Sequence, residues 1–196
     1  MPGSNRVLLA TSNLGKLEEA RTVLAPFGLS VEQYDGKGIE IQADTTSEIA
    51  AFSSKRAATA AGRPVLVEDA GLFVDSLNGF PGPFSAYAFK TLGVAGILAL
   101  LRSSKPGMGK ARAARFVSSL AYCEPLGDPR LFEGSARGTI TARPRGKGGF
   151  GFDPIFLPDG GRKTFGELTL KEKCAVSHRA DALRRFAKWY LSRGRL

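Results

Sequence analysis

The amino-acid sequence predicts an α/β fold with a mixed β-sheet. Strands alternate with helices near both ends of the chain, and two longer strands joined by a short turn lie between them. The 196 residues contain no linker, repeat or low-complexity segment, and 43% of them are hydrophobic, so one core can form. We therefore predict a single domain over residues 1–196, either as one body or with two lobes.

In the first part of the chain, apolar runs alternate with helical patterns. Arg6 to Ala10 is a short apolar run of the buried-strand type. The helix that follows ends before Pro26, because proline cannot continue a helix. The pattern then predicts a strand over 30–34, a helix over 45–61, and strands over 65–67 and 72–74.

A loop rich in glycine and proline at 78–83 precedes the second part of the chain. The residues after it predict two short helices over 86–102, broken near Gly93. Further along, the pattern predicts paired strands over 111–122 and 130–142, and a last amphipathic helix over 177–193.

Composition restricts the metal and the compartment. Cys123 and Cys174 are too few for a disulfide framework or a zinc site, which favours a reducing environment. Because His178 is the single histidine, a metal would depend on carboxylates, so Mg²⁺, with Mn²⁺ as a substitute, is favoured over zinc. Met1 to Leu9 lacks signal-peptide features, and no apolar run could span a bilayer. We expect a cytoplasmic protein without a membrane partner.

The net charge of +10 allows three interpretations. Basic residues supply most of the affinity of proteins for nucleic acid, but they also attract small polyanionic substrates. The third interpretation is a solvated helix face, since much of the excess lies in the last segment, 171–195. Charge alone does not decide among them.

The segment Thr11-Ser12-Asn13-Leu14-Gly15-Lys16 joins the first strand to the first helix. Such a turn presents free amides and the positive end of a helix to a phosphate, and Lys16 adds a mobile charge. It is not a P-loop, because G-x-x-x-x-G-K-[ST] is absent. The same residues also suit an ordinary helix N-cap, so the segment alone leaves both interpretations open.

Three other segments carry candidate chemistry. Glu68-Asp69 ends a buried strand, where a divalent ion shared with Glu40 would offset the cost of two acids; a solvated turn is the alternative. The glycine-rich segment 148–154 could place an aromatic ring against a nucleobase, or could be a turn with core phenylalanines. His178 and Arg179 oppose the dipole of the last helix unless a ligand or an acid is near them.

Taken in order, these segments resemble the inosine triphosphate pyrophosphatase family, which hydrolyses non-standard purine nucleotides. The resemblance covers nearly the whole chain. The matching segments are ATSNLGK from Ala10, EDAGL from Glu68, LNGFPG from Leu77 with Ser85 and Ala86, GGFGFDPIF from Gly148, KTFGEL from Lys163, and Glu172 and Lys173 with SHR from Ser177.

The resemblance implies an elongated mixed sheet flanked by helices, in two lobes with a central nucleotide cleft. It implies hydrolysis of ITP, dITP and XTP to a monophosphate and pyrophosphate, with Mg²⁺ and usually in a homodimer. Thr11 to Lys16 would bind the triphosphate, with Lys55 as a further lysine. Glu40 and Asp69 would hold the metal, and Asp69 would also be the general base. The residues implied for the nucleotide pocket are Phe150, Gly151, Phe152, Asp153, Lys173, His178 and Arg179.

Base preference follows from hydrogen bonding. Inosine and xanthine carry an oxygen acceptor at position 6, where adenine carries an amino donor, so pocket donors such as Arg179 and His178 disfavour adenine. Mismatches of this kind discriminate by roughly a hundredfold to about 10⁴-fold. One departure from the family is Ala70, where Ser or Thr is usual, so a hydroxyl expected near the substrate is missing.

Two alternative functions remain at this point. A pyrophosphatase for pyrimidine or modified nucleotides could share the fold. A basic nucleic-acid-binding module is the other, although the chain lacks interleaved aromatics of the stacking type. We expect no stable nucleic-acid partner.

Overall fold

A computed structural model describes residues 5–36, 41–103 and 112–193. Within these residues seven strands form one mixed sheet, which confirms the predicted α/β class. The strands are β1 (Arg6–Ala10), β2 (Ser30–Tyr34), β3 (Val65–Val74), β4 (Pro81–Gly82), β5 (Ala113–Cys123), β6 (Arg130–Ile140) and β7 (Phe156–Pro158).

The strand order is β2-β1-β3-β5-β6-β7, and β4 pairs with the outer part of β3. β1 runs parallel to β2 and β3, whereas β3, β5, β6 and β7 pair antiparallel. β1 pairs with β3 through Leu9 opposite Leu66 and Ala10 opposite Val67, and β1 then ends. Further along that edge, Leu72 and Phe73 of β3 pair with β4.

Six α-helices flank the sheet in the described ranges. They are α1 (Leu14–Leu24), α2 (Thr46–Ala61), α3 (Ser85–Thr91), α4 (Gly93–Ser103), α5 (Leu170–Val176) and α6 (His178–Ser192). α1 and α6 share a hydrophobic cluster with Leu66 on one face of β3. α2 covers the opposite face, where Ala58 clusters with Val65 and Val67. α3 and α4 bury residues with the outer part of β3 and with β7.

Local sequence sets where the helices begin. Thr45 and Glu48 form a capping box at α2, in which each side chain accepts a hydrogen bond from the other residue's amide. Thr169 and Glu172 form the same arrangement at α5. Ser177 caps α6 by accepting a hydrogen bond from the Ala180 amide.

The structure differs from the prediction at two elements. β3 is one continuous strand, Val65–Val74, although the acidic pair was predicted to lie at a strand end. A Cβ at Gly71 would overlap the Gly82 carbonyl, so this glycine lets β4 pair closely with β3. α5 was not predicted, because its seven residues are too few to show a helical period. The division into two lobes stays a prediction.

Among the described residues, no single helix is both long and apolar enough to cross a bilayer. α3 and α4 reach that length only as a pair, with a bend of 96° between them.

Candidate active site

The predicted phosphate-binding segment, residues 11–16 and here called the phosphate loop, begins where β1 ends, and its Lys16 contacts Glu68 of β3. Asn13 caps α1, and its Oδ1 accepts a hydrogen bond from the Lys16 amide at 3.1 Å. The amides of Leu14 and Gly15 precede the first hydrogen bond inside the helix, so the helix itself offers them no acceptor. The N-cap interpretation is therefore confirmed, and the free amides are compatible with the predicted phosphate binding, which stays a prediction.

Lys16 reaches from this loop to Glu68 on β3. Its Nζ lies 2.9 Å from Glu68 Oε2 and donates to the Glu68 carbonyl at 3.1 Å. Ser118 on β5 donates to Glu68 Oε1 at 2.7 Å. Burial of Glu68 opposes its ionisation, but Arg179 and Lys16 hold the pKa of this carboxyl well below its usual range. Glu68 is therefore an ionised partner of the lysine.

Asp69 and Glu68 point to opposite faces of the sheet, because neighbouring residues of a strand alternate. Glu68 lies on the α1 and α6 side, with Lys16. Asp69 shares its face with Val67, on the α2 side, and pairs in register with Ser119 of β5. The two acids therefore have different surroundings: Glu68 pairs with Lys16 on one face of the sheet, and Asp69 lies on the other face.

Arg179, the second residue of α6, makes two charged contacts in the interior. Its Nε donates to Glu68 Oε1 at 3.0 Å, and its Nη1 donates to Glu19 Oε2 at 2.7 Å. All three side chains are 4% exposed. A positive side chain at the start of a helix opposes the helix dipole, and these two carboxylates offset that cost.

Lys173 on α5 is held in the same way. Its Nζ lies 2.7 Å from Glu19 Oε1 and 2.6 Å from Asp153 Oδ2. Asp153 Oδ2 also accepts a hydrogen bond from the Phe150 amide at 2.8 Å, which closes the glycine-rich segment 148–154, here called the aromatic loop. Burial raises the pKa of Asp153, although Lys173 and the Phe150 amide favour its ionised form.

These contacts form one continuous line of alternating charges, which we call the ion-pair chain. It runs from the aromatic loop through the interior to the phosphate loop. Its members, in spatial order, are Asp153, Lys173, Glu19, Arg179, Glu68 and Lys16. Because three carboxylates meet three cations, the charges balance within the line.

Phe150 covers this line from the side of the aromatic loop. Its ring centroid lies 4.8 Å from Lys173 Nζ and 5.2 Å from Arg179 Cζ, within range of cation–π attraction. A Cβ at Gly15 would lie 2.7 Å from the ring, so the ring can take this position over the loop because residue 15 is glycine. Phe152, two residues on, is 3% exposed and belongs to a core cluster, and its ring packs edge-to-face against the partly exposed Phe89. The loop therefore supplies one aromatic ring to the site and one to the core.

His178 stacks on Phe116, with ring centroids 4.7 Å apart and planes 10° from parallel. Burial and the neighbouring Arg179 hold the pKa of His178 well below its usual value of 6.5, so the ring is neutral. A neutral ring does not oppose the helix dipole. His178 Nδ1 is buried and has no hydrogen-bond partner among the described residues.

Ala70 lies opposite Ser118 in the pairing of β3 with β5. The two residues share a face of the sheet, and the Ser118 hydroxyl is bonded to Glu68. Ala70 therefore has no hydroxyl of its own, but the Ser118 hydroxyl lies opposite it on the neighbouring strand β5 and donates to Glu68.

Two predicted site residues are not brought to this cluster by the described structure. Lys55 lies on the exposed side of α2, and its Nζ pairs with Asp128 in the β5–β6 turn at 2.9 Å. The start of α2, at Thr46, lies beside Ser119, whereas Lys55 lies more than two turns further along the helix. Glu40 falls outside the described residues.

The described ranges contain no group of three or more His, Cys, Asp or Glu side chains with the geometry of a metal site. Glu68 is held by Lys16 and Arg179, which leaves Asp69 as the carboxylate of the pair outside the ion-pair chain. Mg²⁺ typically binds one or two protein carboxylates together with substrate phosphates and water. The carboxylate of Asp69, on the α2 side of β3, is of the type that this donor set requires.

A family model described as the Ham1 family matches residues 7–189. The chain belongs to the Ham1 family. Its resemblance to inosine triphosphate pyrophosphatases, drawn from six motifs, is confirmed by this match.

Individual members of the family are similar over almost the full length. The dITP/XTP pyrophosphatase of Methanopyrus kandleri is 51% identical over 185 residues, covering 94% of this chain and 96% of that protein. The dITP/XTP pyrophosphatase of Thermococcus kodakarensis is 47% identical, with 94% and 96% covered. The solved structure of a HAM1 protein from Coxiella burnetii has a TM-score of 0.83 at 32% identity and covers 95% of this chain and 98% of that one.

The sequence patterns did not identify Glu19. They gave Glu68 no role of its own and treated it only as one half of the acidic pair with Asp69. Glu19 falls among the apolar residues of α1 that face the core, between Leu17 and Ala20. An acid on the buried side of an amphipathic helix needs a cation, so the helical period could have identified it. Its partners could not be identified from the period, because they lie at the other end of the chain.

Proposed function

We propose that this Ham1-family chain hydrolyses ITP, dITP and XTP to the nucleoside monophosphate and pyrophosphate. The observation that carries the proposal is the ion-pair chain, which joins the phosphate loop to the aromatic loop. Relatives at 51% and 47% identity are dITP/XTP pyrophosphatases, which supports this substrate class. Removal of such nucleotides from the nucleotide pool is the corresponding cellular role.

The phosphate end consists of the helix start and Lys16. The Leu14 and Gly15 amides and the positive end of α1 favour the triphosphate. The Lys16 side chain is 20% exposed, and its ion pair with Glu68 fixes its direction. It would place a positive charge close to the bond between the α and β phosphates. A fixed positive charge at this position stabilises the negative charge that develops on the leaving pyrophosphate.

Asp69, together with Glu40, is proposed to hold Mg²⁺, with Mn²⁺ as a substitute. Such an ion, when bound, neutralises phosphate charge and polarises the anhydride. Asp69 is proposed as the general base as well. It accepts a proton from the attacking water, the water oxygen bonds to the α-phosphorus, and the bridging oxygen leaves with pyrophosphate.

The base end consists of Phe150 and the cations that it covers. In this structure the Phe150 ring lies over Lys173 and Arg179, so a purine reaches their donors only after the ring moves. His178 Nδ1 is a further polar atom able to contact the base. Donors at this end suit the 6-oxo group of hypoxanthine and xanthine and disfavour the 6-amino group of adenine.

The test is a nucleotide panel with Mg²⁺, in which phosphate and pyrophosphate are measured separately. We expect turnover of dITP, ITP and XTP well above that of dATP, dUTP and dTTP, with pyrophosphate as the inorganic product. Preference for dUTP or dTTP would contradict the substrate class, and release of single phosphates would contradict the cleaved bond. Chelation of the metal is expected to abolish turnover.

Asp69→Asn tests the general base. We expect turnover to fall by about 10²-fold or more while the protein stays folded. Asp75→Asn is the matched control, because Asp75 follows β3 and its side chain is 52% exposed. Full activity in folded Asp69→Asn protein would remove Asp69 from this role.

We also propose a homodimer. Six large apolar side chains are at least 37% exposed on β4, α3, α4 and their connections: Phe80, Phe84, Tyr87, Phe89, Leu92 and Leu100. Large exposed apolar side chains concentrated in residues 80–100 favour a contact with another molecule, and a second copy is the partner that the family resemblance implies. A cytoplasmic location is part of the same proposal.

A further inference from the structure

Glu19 is a buried carboxylate to which no motif assigned a function. Its side chain is 4% exposed, whereas the adjacent Glu18 lies on the exposed side of α1. A buried carboxylate is strongly unfavourable unless cations accompany it. Glu19 has two such partners: Oε1 lies 2.7 Å from Lys173, and Oε2 lies 2.7 Å from Arg179.

We propose that Glu19 is a positioning residue that determines base preference, because it holds Lys173 and Arg179 in one fixed arrangement. Among the ion pairs of the described residues, it is the carboxylate that contacts both of these cations. Asp153 contacts Lys173, and Glu68 contacts Arg179. This inference rests on the proposed nucleotide pyrophosphatase function.

The hydrogen-bond inventory explains how Glu19 acts on the base. Arg179 has five N–H donors, and Glu68 and Glu19 engage two of them, which leaves three. Lys173 has three donors, and Glu19 and Asp153 engage two, which leaves one. Because each cation is held by two carboxylates, its remaining N–H groups point in fixed directions. Fixed donors of this kind can recognise an oxygen acceptor on a purine by hydrogen bonding.

The charge of Glu19 has a second effect. Without Glu19, Lys173 would keep only Asp153, and Arg179 would keep only Glu68. Glu68 is in addition shared with Lys16. The base end would then carry an uncompensated positive charge. Such a charge attracts phosphate to the base end and selects poorly among neutral bases. Glu19 therefore favours a neutral base over a polyphosphate at this end.

The experiment compares Glu19→Gln with Glu18→Gln, its exposed neighbour on the same helix. For each protein, kcat and KM are measured for dITP and dATP with Mg²⁺, together with inhibition by tripolyphosphate, which has the charge of the substrate but no base. In Glu19→Gln we expect the preference for dITP over dATP in kcat/KM to fall by about tenfold to a hundredfold. The KM for dITP should rise more than kcat falls, and tripolyphosphate should inhibit as well as before or better. Glu18→Gln should behave as the wild type.

An unchanged preference for dITP over dATP in Glu19→Gln would overturn the inference. Equal loss toward both nucleotides, with weaker tripolyphosphate inhibition, would also overturn it, because that result indicates a purely structural role. If Glu19→Gln does not fold, Glu19→Asp decides, since it keeps the charge but is too short to reach both cations. A folded Glu19→Asp protein with wild-type preference would overturn the inference.

Different results would contradict the proposed function and the proposed role of Glu19. A wild-type protein that releases no pyrophosphate from any nucleotide would contradict the function itself. A wild type that prefers dITP, beside Glu19 variants with the same preference, would contradict the role of Glu19 alone.

Discussion

At the scale of single residues, burial determines what each charged group does. Glu68 and Asp69 are adjacent, yet the first is ionised against Lys16 and Arg179 while the second faces the other side of the sheet. Burial also separates Glu19 from Glu18, which lies one position earlier on α1. The same side-chain chemistry therefore supports different roles within two residues of chain.

His178 provides a residue-scale prediction, because it is the single histidine of the chain. Its folded pKa lies well below 6.5, so the unfolded state binds a proton that the folded state does not. Stability from this group is therefore present above pH 6.5 and is lost as the pH falls below it. Between pH 7.5 and 5.5 we expect the wild type to lose about 1.4 kcal/mol more unfolding free energy than His178→Phe, which keeps a stacked ring. Urea unfolding at both pH values measures this, and equal losses would show that His178 titrates normally.

At the scale of elements, the close approach between α6 and β6 determines the position of Arg179, one of the cations of the proposed base end. A Cβ at Gly134 of β6 would overlap the His178 carbonyl and the Ala182 amide of α6. Glycine at this position lets the helix start lie directly on the sheet, which brings Arg179 within reach of Glu68. The Ser177 cap fixes where that helix begins. One small residue on a strand thus positions a cation on a helix.

Gly134→Ala tests this packing. The added methyl group must displace the start of α6, so we expect a loss of about 1–3 kcal/mol in unfolding free energy. We also expect reduced preference for dITP over dATP, because Arg179 moves with the helix. Gly127→Ala, in the partly exposed turn of the same hairpin, is the control; its nearest neighbour is the Glu124 carbonyl at 3.3 Å. Wild-type stability in Gly134→Ala would show that α6 does not need this approach.

At the scale of the whole molecule, the site depends on contacts between distant parts of the chain. The bond from Lys173 to Glu19 joins residues 154 positions apart, and the bond from Arg179 to Glu19 joins residues 160 positions apart. The similarity to a HAM1 structure, with a TM-score of 0.83, shows that the overall fold is shared. The base end therefore forms only when the first and last segments of the chain are packed together.

The proposed homodimer gives a whole-molecule prediction. We expect the wild type to sediment at twice the mass of one chain, and Tyr87→Glu to shift it to the monomer. Tyr87 is 70% exposed within the apolar surface, and burying a charge there would cost more than a dimer contact supplies. Leu126→Glu is the control, because Leu126 is 96% exposed in the β5–β6 turn, away from that surface. A monomeric wild type would contradict the homodimer, and a Tyr87→Glu dimer would move the interface elsewhere.

Periodicity and turn residues were sufficient to predict the α/β class and most of the elements. The predicted strand at 30–34 and the two helices broken near Gly93 are confirmed. Local patterns failed where tertiary contacts decide the conformation. The acidic pair was predicted to end a strand, but β3 continues through it, and Gly71 accommodates a neighbouring strand. α5 depends on a capping box over seven residues.

The sequence by itself determined the class of fold, the order of the motifs and the residue types available for phosphate, metal and base. Only the tertiary structure decided which of these residues meet. It placed Phe150 over the cations and Phe152 in the core, directed Glu68 and Asp69 to opposite faces, and added Glu19. The reason is physical: a motif fixes chemistry along the chain, whereas burial and ion pairing depend on the segments that pack around it. The environment of a buried charge is therefore set by residues more than a hundred positions away.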